Sequence, residues 1–311
     1  MFFQDIKKCI KWFIPYGIID YRKRKFQKFL TLFFEQRSQK QYEIKKYFLS
    51  LDPDKEDHEI NEIIDYFKKY KFSVFPYDFS RKYQMTDIEV FYDNSSKTRY
   101  VLHNNKRLFF PEEWEDDTIH SYYNVLCIEQ DKDSPHCYEA DGFVIQQNDV
   151  IADIGSAEGI WALNYADIAE KIYLFESDRI WVKTLQKTFE PWKEKVVFVN
   201  KYVSNTNNAN SITLDSFFKE KRIDYIKADI EGMEIQLLEG SKNLLANSNN
   251  LKLLLCSYHS KDDAVKIKEL LEKNGFRTEY SRGYMLPVFD KELEMPYIRR
   301  GVVRAAKVYD Q

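Results

Sequence analysis

The chain has 311 residues, 44% of them apolar and 31% charged, with 9 glycines, 8 prolines and a net charge of −3. This is the balance of a soluble globular chain long enough for one large domain or two ordinary ones, and it argues against long flexible linkers. No apolar run reaches the roughly 18 residues of a membrane span; the nearest, Cys9 to Ile19, is broken by Lys11 and Pro15 and lacks a signal-peptide cleavage site.

Residues 1–50 carry 12 Lys/Arg against 4 Asp/Glu, so the front is +8 and the remainder −11. A basic, aromatic front end suits contact with anionic lipid at the inner face of a membrane or with a phosphorylated partner, but a solvated helix face is the favoured reading. The acidic body argues against nucleic acid as a partner. Phe26, Phe29, Leu30 and Phe33, then Ile60, Ile63, Ile64 and Phe67, follow the i, i+3, i+4, i+7 spacing of helices, the second with Asp57 as its cap. Ile88 to Tyr92 and Arg99 to His103 flank the turn composition Asp93 to Ser96, which predicts a hairpin, and Asn104-Asn105 predicts a further turn before Arg107 to Phe110.

From about residue 143 strands and helices alternate. Strands are expected at 149–153, 171–175, 196–199, 223–228 and 251–255, and helices at 160–169, 180–189, 233–245 and around Ala264 to Leu271, the last ended by Asn274-Gly275. Runs 276–281 and 301–306 have only a proline-containing loop between them, which favours antiparallel pairing. The expected fold class is therefore α/β, with a Rossmann-like sheet of five parallel strands plus an antiparallel terminal pair. It occupies 143–311 and follows a helical and hairpin extension over 1–142 that serves acceptor binding, oligomerisation or docking to a synthesis complex. Cys9, Cys127, Cys137 and Cys256 show no C-x-x-C spacing and read as reduced thiols of a cytoplasmic protein. His136-Cys137 lacks a second pair to complete a metal site, so packing is favoured there.

In an open α/β sheet, ligands lie at the carboxyl ends of the strands. Asp153-Ile-Gly155-Ser156-Ala-Glu158-Gly159 puts a glycine turn at the first such end. Its G-x-x-x-G spacing departs from the pyrophosphate fingerprint, and Asp153 and Glu158 suit a ligand bearing a sulfonium and an ammonium. Glu176, with Ser177 after it, ends the second strand, where an acid accepts hydrogen bonds from a ribose diol. Asp229 and Glu231 end the fourth; complementing the next helix amino terminus is the plainer role for Glu231. His259 follows the fifth strand and is a candidate general base or a structural histidine. His58, His103, His120 and His136 lie in the front half without such support.

Taken in order, Asp149 to Gly159, Phe175-Glu176, Thr213-Leu-Asp215 and Ile226-Lys-Ala-Asp-Ile-Glu-Gly232 resemble the FkbM-type methyltransferases over about residues 143–260. The resemblance implies a class I methyltransferase fold, S-adenosylmethionine as donor and usually O-methylation. Carried over, Asp153, Gly155 and Gly159 line the methionine side, Glu176 holds the ribose and Asp229 lies near the transferred methyl. The family usually has asparagine or a small residue where this chain has Glu158. Trp12 to Ile19 is similar to the front of bacterial proteins associated with surface-polysaccharide synthesis, the sole pointer to a saccharide acceptor. The expected catalytic residues are Asp229, His259 and Glu231, with Asp229 or His259 as base. A divalent ion on Asp229 and Glu231 is compatible with the pattern but not required by it. A nicotinamide-dependent oxidoreductase and a catalytically silent scaffold are the alternatives.

Overall fold

A computed structural model describes residues 23–290 and 292–307, with side chains from Arg37 onward. The Trp12 to Ile19 run lies outside the described residues, as do the side chains of Phe26, Phe29, Leu30 and Phe33. Among the described residues no helix is long and apolar enough to cross a membrane.

The front begins with helices α1 (Lys23–Ser50) and α2 (His58–Lys69). Asp57 caps α2 by accepting the Ile60 amide at 2.8 Å, and the Ile60, Ile63, Ile64, Phe67 stripe is buried with Ile44 and Phe48 of α1. Strands β1 (Phe91–Asp93), β2 (Thr98–His103) and β3 (Lys106–Phe109) form an antiparallel meander. Asn104 and Asn105, at φ 49° and 64°, make the two-residue turn whose twist matches the flanking strands. Helix α3 (Asp116–Glu129) then follows, where the sequence reading expects no element. Its helical stripe is Ile119, Tyr122, Tyr123 and Leu126, half of it tyrosine, so a count of aliphatic residues passes over it.

The remaining elements are β4 (Val150–Ile154), α4 (Ile160–Asn164), β5 (Lys171–Phe175), α5 (Arg179–Thr188), β6 (Val196–Val199), the short pair β7 (Tyr202–Val203) and β8 (Ser211–Ile212), and α6 (Leu214–Phe217). There follow β9 (Tyr225–Ala228), α7 (Glu234–Glu239), α8 (Lys242–Asn247), β10 (Lys252–Cys256), α9 (Asp263–Lys273), β11 (Phe276–Tyr280) and β12 (Val302–Lys307). Two expected helices are shorter than their patterns. The one after β4 stops at Asn164, because Tyr165, Ala166 and Ile168 bond three residues back rather than four. The one after β9 is divided at Gly240-Ser241, a helix-weakening glycine followed by an amide bonded to Leu238.

The seven-stranded sheet runs β11-β12-β10-β9-β4-β5-β6. The five strands from β10 to β6 are parallel, and β12 lies antiparallel between β10 and β11. This is the class I methyltransferase arrangement. Period-two alternation sends Val150, Ala152, Tyr173, Leu253, Leu255 and Val303 to one face, which is covered with Leu214, Leu237 and Ile267 of α6, α7 and α9. Ile151, Ile172, Leu174, Leu254, Cys256 and Val302 face the other way, into a cluster holding Ile160 and Trp161 of α4 together with Val101, Leu108, Phe110 and Trp114 of the front. The segment 281–301 between the last two strands sends Leu286, Val288 and Leu293 into the cluster of α1 and α2.

Candidate functional site

The carboxyl ends of β4, β5, β9 and β10 are adjacent through the sheet order, so the residues that follow them share one edge. The turn after β4 is held from β5: the amides of Gly155 and Ser156 both donate to the Phe175 carbonyl, at 3.0 and 3.1 Å. Gly155 sits at φ +71°, and a Cβ there would fall 2.0 Å from the Asp229 carbonyl oxygen. No side chain fits between the first and fourth strand ends, which explains the glycine. Gly159, at φ +82°, opens α4 against Leu185 and Phe189 of the α5 region. Ser156 closes the turn internally by donating to the Asp153 carbonyl at 2.7 Å.

Glu176 is tied into the same turn. One carboxylate oxygen accepts the Ala157 amide at 2.9 Å, and the other accepts the Asp178 amide at 2.7 Å. Asn200 donates to the carbonyls of Glu176 and Ser177, fixing the segment from the β6 side. Burial pushes the Glu176 carboxyl above its ordinary value, while these amides pull it down.

Two acids expected to line the pocket are instead buried. Asp153 is 1% exposed and lies 2.9 Å from the Nζ of Lys227, which also donates to the Gly155 carbonyl at 3.0 Å. Burial alone would lower the Lys227 ammonium, but Asp153 and Asp229 outweigh it and keep the group charged. The pair braces the glycine turn from inside the sheet. Glu158 is 4% exposed and accepts a hydrogen bond from Tyr122 at 2.7 Å. That tyrosine stacks on Trp181 and meets Trp114 edge-on. Burial raises the Glu158 carboxyl to about 7.

Asp229 is the centre of the polar cluster. Its Oδ2 is 3.5 Å from His136 Nε2 and accepts from Tyr138 at 3.3 Å; its Oδ1 is 3.3 Å from His259 Nε2 and from the Tyr258 hydroxyl. Burial alone would raise this carboxyl, yet His136, His259 and Lys227 together hold it well below the usual carboxylate range. His259 is also 3.4 Å from Glu234 through Nδ1, and neither of its contacts has aligned hydrogen-bond geometry. Burial would lower its pKa, but the two carboxylates raise it to about 10, so it carries a proton at neutral pH. That protonation state does not suit the base role considered for it. Glu231, at φ 55°, projects outward with its side chain 94% exposed and comes no nearer than 3.9 Å to His259.

His136, set aside in the sequence reading, is therefore at the centre, and Tyr138, Tyr258, Cys256, Lys227 and Glu234 join it. Lys227 had a signal: a cation inside an otherwise apolar strand demands a buried counter-charge. His136 and Tyr138 lie in an irregular segment with no period to place them. Two surface cavities, of about 400 and 690 Å³, lie elsewhere and are lined by none of these residues.

No curated protein matches the chain. Among solved structures it is similar to a methyltransferase FkbM from Methylobacillus flagellatus, at 15% identity and TM-score 0.44, covering 61% of this chain and 54% of that one. The chain thus spans about half the length of that protein. A precorrin-6y C5,15-methyltransferase from Geobacter metallireducens is similar at 16% identity and TM-score 0.37, over 53% of this chain and 82% of that one. An rRNA methylase from Streptococcus thermophilus is similar at 15% identity and TM-score 0.38, over 53% and 90%. Residues 153–278 match the family model described as "Methyltransferase FkbM domain". That match runs from the acid at the end of β4 to the middle of β11 and takes in every strand end just described, so the segment from Asp153 to Thr278 is similar to a methyltransferase FkbM domain.

Proposed function

We propose that the chain transfers a methyl group from S-adenosylmethionine to a hydroxyl, with a sugar or polysaccharide-related alcohol as acceptor. The observation that carries this reading is the junction of Glu176 with the glycine turn, an acid bonded to the Ala157 amide at adjacent strand ends. An acid so placed accepts a ribose diol. In this reading Gly155, Ser156, Gly159 and Ser177 bring backbone close to the cofactor, and Asp229 lies beside the transferred methyl. Asp153 acts through Lys227, and Glu158 through Tyr122, rather than by contact. Residues 1–142 supply the acceptor-side wall, since His136 and Tyr138 reach Asp229 from just ahead of the sheet.

When bound, S-adenosylmethionine would supply a methyl carbon activated by its sulfonium, held beside Asp229 by the glycine turn and Glu176. The chain's own work is to hold the acceptor hydroxyl against that carbon and to receive its proton. Asp229 takes the proton. Its low proton affinity is sufficient, because a hydroxyl oxygen gaining a third substituent becomes an oxonium, a far stronger acid than any carboxylic acid. The His259 imidazolium, between Asp229 and Glu234, keeps the acceptor-facing oxygen ionised and oriented.

Calorimetry of the full chain with S-adenosylhomocysteine and with NAD tests the reading. S-adenosylhomocysteine is expected to bind, NAD is not, and Glu176→Lys should weaken the former at least tenfold. Binding of NAD alone would move the protein to the oxidoreductases, and unchanged affinity in Glu176→Lys would reject the cofactor pocket. Asp229→Asn should keep cofactor affinity and lose turnover on hydroxyl acceptors; full turnover in that variant would remove its role as base.

A further inference from the structure

The sequence suggests Asp229 and Glu231 as the pair for any divalent ion. The structure separates them, sending Glu231 outward, and gathers a different donor set behind Asp229. His136 Nε2 lies 3.5 Å from Asp229 Oδ2 and 3.5 Å from Cys256 Sγ, and one donor atom from each of the three residues falls within 4.8 Å of the others. Cys256 is 0% and His136 3% exposed, whereas the Asp229 side chain is 21% exposed and forms the open side of the group.

We propose that His136, Asp229 and Cys256 form a binding site for a thiophilic divalent cation of the zinc type. Zinc holds nitrogen and oxygen at about 2.0–2.2 Å and sulfur at about 2.3 Å in a tetrahedron, which leaves neighbouring ligand atoms roughly 3.3–3.6 Å apart. The two spacings around His136 Nε2 fall in that interval. The charges close as well: thiolate and carboxylate bring two negative charges, and a divalent ion leaves the buried set neutral, which low-dielectric surroundings favour. One nitrogen, one oxygen and one sulfur also select zinc or cobalt over magnesium and calcium, which take oxygen.

On the Nδ1 side the imidazole is oriented by packing. Among the described residues His136 Nδ1 has no hydrogen-bond partner, and the ring contacts Tyr138 and Tyr258, each with its centroid 5.3 Å away. The fourth position has a neighbour in the Tyr138 hydroxyl, 3.3 Å from both Asp229 Oδ2 and Cys256 Sγ. The ion sits on Oδ2, so Oδ1 keeps its place beside His259. The site does not depend on the methyltransferase reading, because it can be filled and observed without cofactor or acceptor.

Cobalt(II) titration of the full chain, stripped with chelator and kept reduced, is the experiment. One equivalent is expected to give the strong visible bands of tetrahedral cobalt together with a near-ultraviolet thiolate-to-cobalt band. Cys256→Ser should abolish the thiolate band, His136→Gln should lower cobalt affinity at least tenfold, and Cys137→Ser should leave the spectrum unchanged. No cobalt spectrum, or a spectrum kept by Cys256→Ser and lost in Glu234→Gln, would overturn the assignment; the latter would transfer the ion to the group of Asp229, Glu234 and His259. Zinc-edge absorption on the unmodified protein decides the matter if the variants fail to fold. A single sulfur at about 2.3 Å supports the site, and a shell of nitrogen and oxygen alone rejects it.

Discussion

Glu158→Gln isolates a single buried carboxyl and should make the protein more stable at neutral pH. In the folded chain burial raises this group from 4.5 to about 7, against the partial relief given by the Tyr122 hydroxyl. The folded state therefore binds the proton more tightly than the unfolded state, so the contribution is fully present below pH 4.5 and is lost as pH rises through about 7. The gap of about 2.5 pH units, at about 1.36 kcal/mol each, amounts to about 3 kcal/mol. Glutamine keeps the size and an oxygen for Tyr122 but has no proton to lose. Urea unfolding at pH 4, 6 and 8 should find wild type and variant similar at pH 4. The variant should then gain progressively, ending about 3 kcal/mol ahead at pH 8. A pH-independent difference, or a less stable variant at pH 8, would refute the burial argument. S-adenosylhomocysteine affinity should be unchanged in the variant, because the side chain bonds to Tyr122 rather than to a ligand.

The other predictions concern the frame around the glycine turn. Lys227→Met should cost about 3–5 kcal/mol by leaving Asp153 buried without its partner, and adding Asp153→Asn should recover part of that loss in the same denaturant assay. Gly155→Ala should cost roughly 3 kcal/mol or more, since its methyl would meet the Asp229 carbonyl, and soluble yield and melting temperature would report it; a loss under about 1 kcal/mol would mean that β4 and β9 part easily. Arg299→Met removes donors to the Tyr258 and His259 carbonyls at 2.8 and 2.7 Å and the ion pair with Asp290, and should raise amide exchange across residues 258–260 severalfold. Unchanged exchange would show that the segment is held by other contacts.

Much of the sheet is legible in the sequence because short apolar runs separated by glycine or polar turns admit few other structures. The strand ends were legible for the same reason: Gly155, Glu176 and Asp229 each stand where a run stops. What could not be read was direction. Asp153 and Glu158 share a motif with Gly155 and Gly159, but nothing in a list of residues says that one acid turns inward to Lys227 and the other to Tyr122. Glu231 and Glu234 are three apart, yet a left-handed backbone at Glu231 sends the first to solvent, while the second is 1% exposed beside His259. The polar centre draws His136 and Tyr138 from the stretch without periodicity, and long-range contacts of that sort leave no local trace. Helix α3 shows a milder form of the same limit, since tyrosine fills apolar positions without reading as apolar.

Arg299 lies near the end of a segment that sends three apolar side chains into the front helices. Leu286, Val288 and Leu293 pack with Ile44, Phe48 and Ile63, while the Arg299 guanidinium grips the backbone next to Asp229. The strap is thus a mechanical link whose far end is anchored about 200 residues earlier in the chain than the groups it steadies. Loss of residues up to 142 would strip Leu286, Val288 and Leu293 of their packing partners and bare the Ile151, Ile172 and Leu254 face that packs with Val101, Leu108 and Phe110 as well. The half from residue 143 onward is therefore expected to melt together with the front, in a single transition.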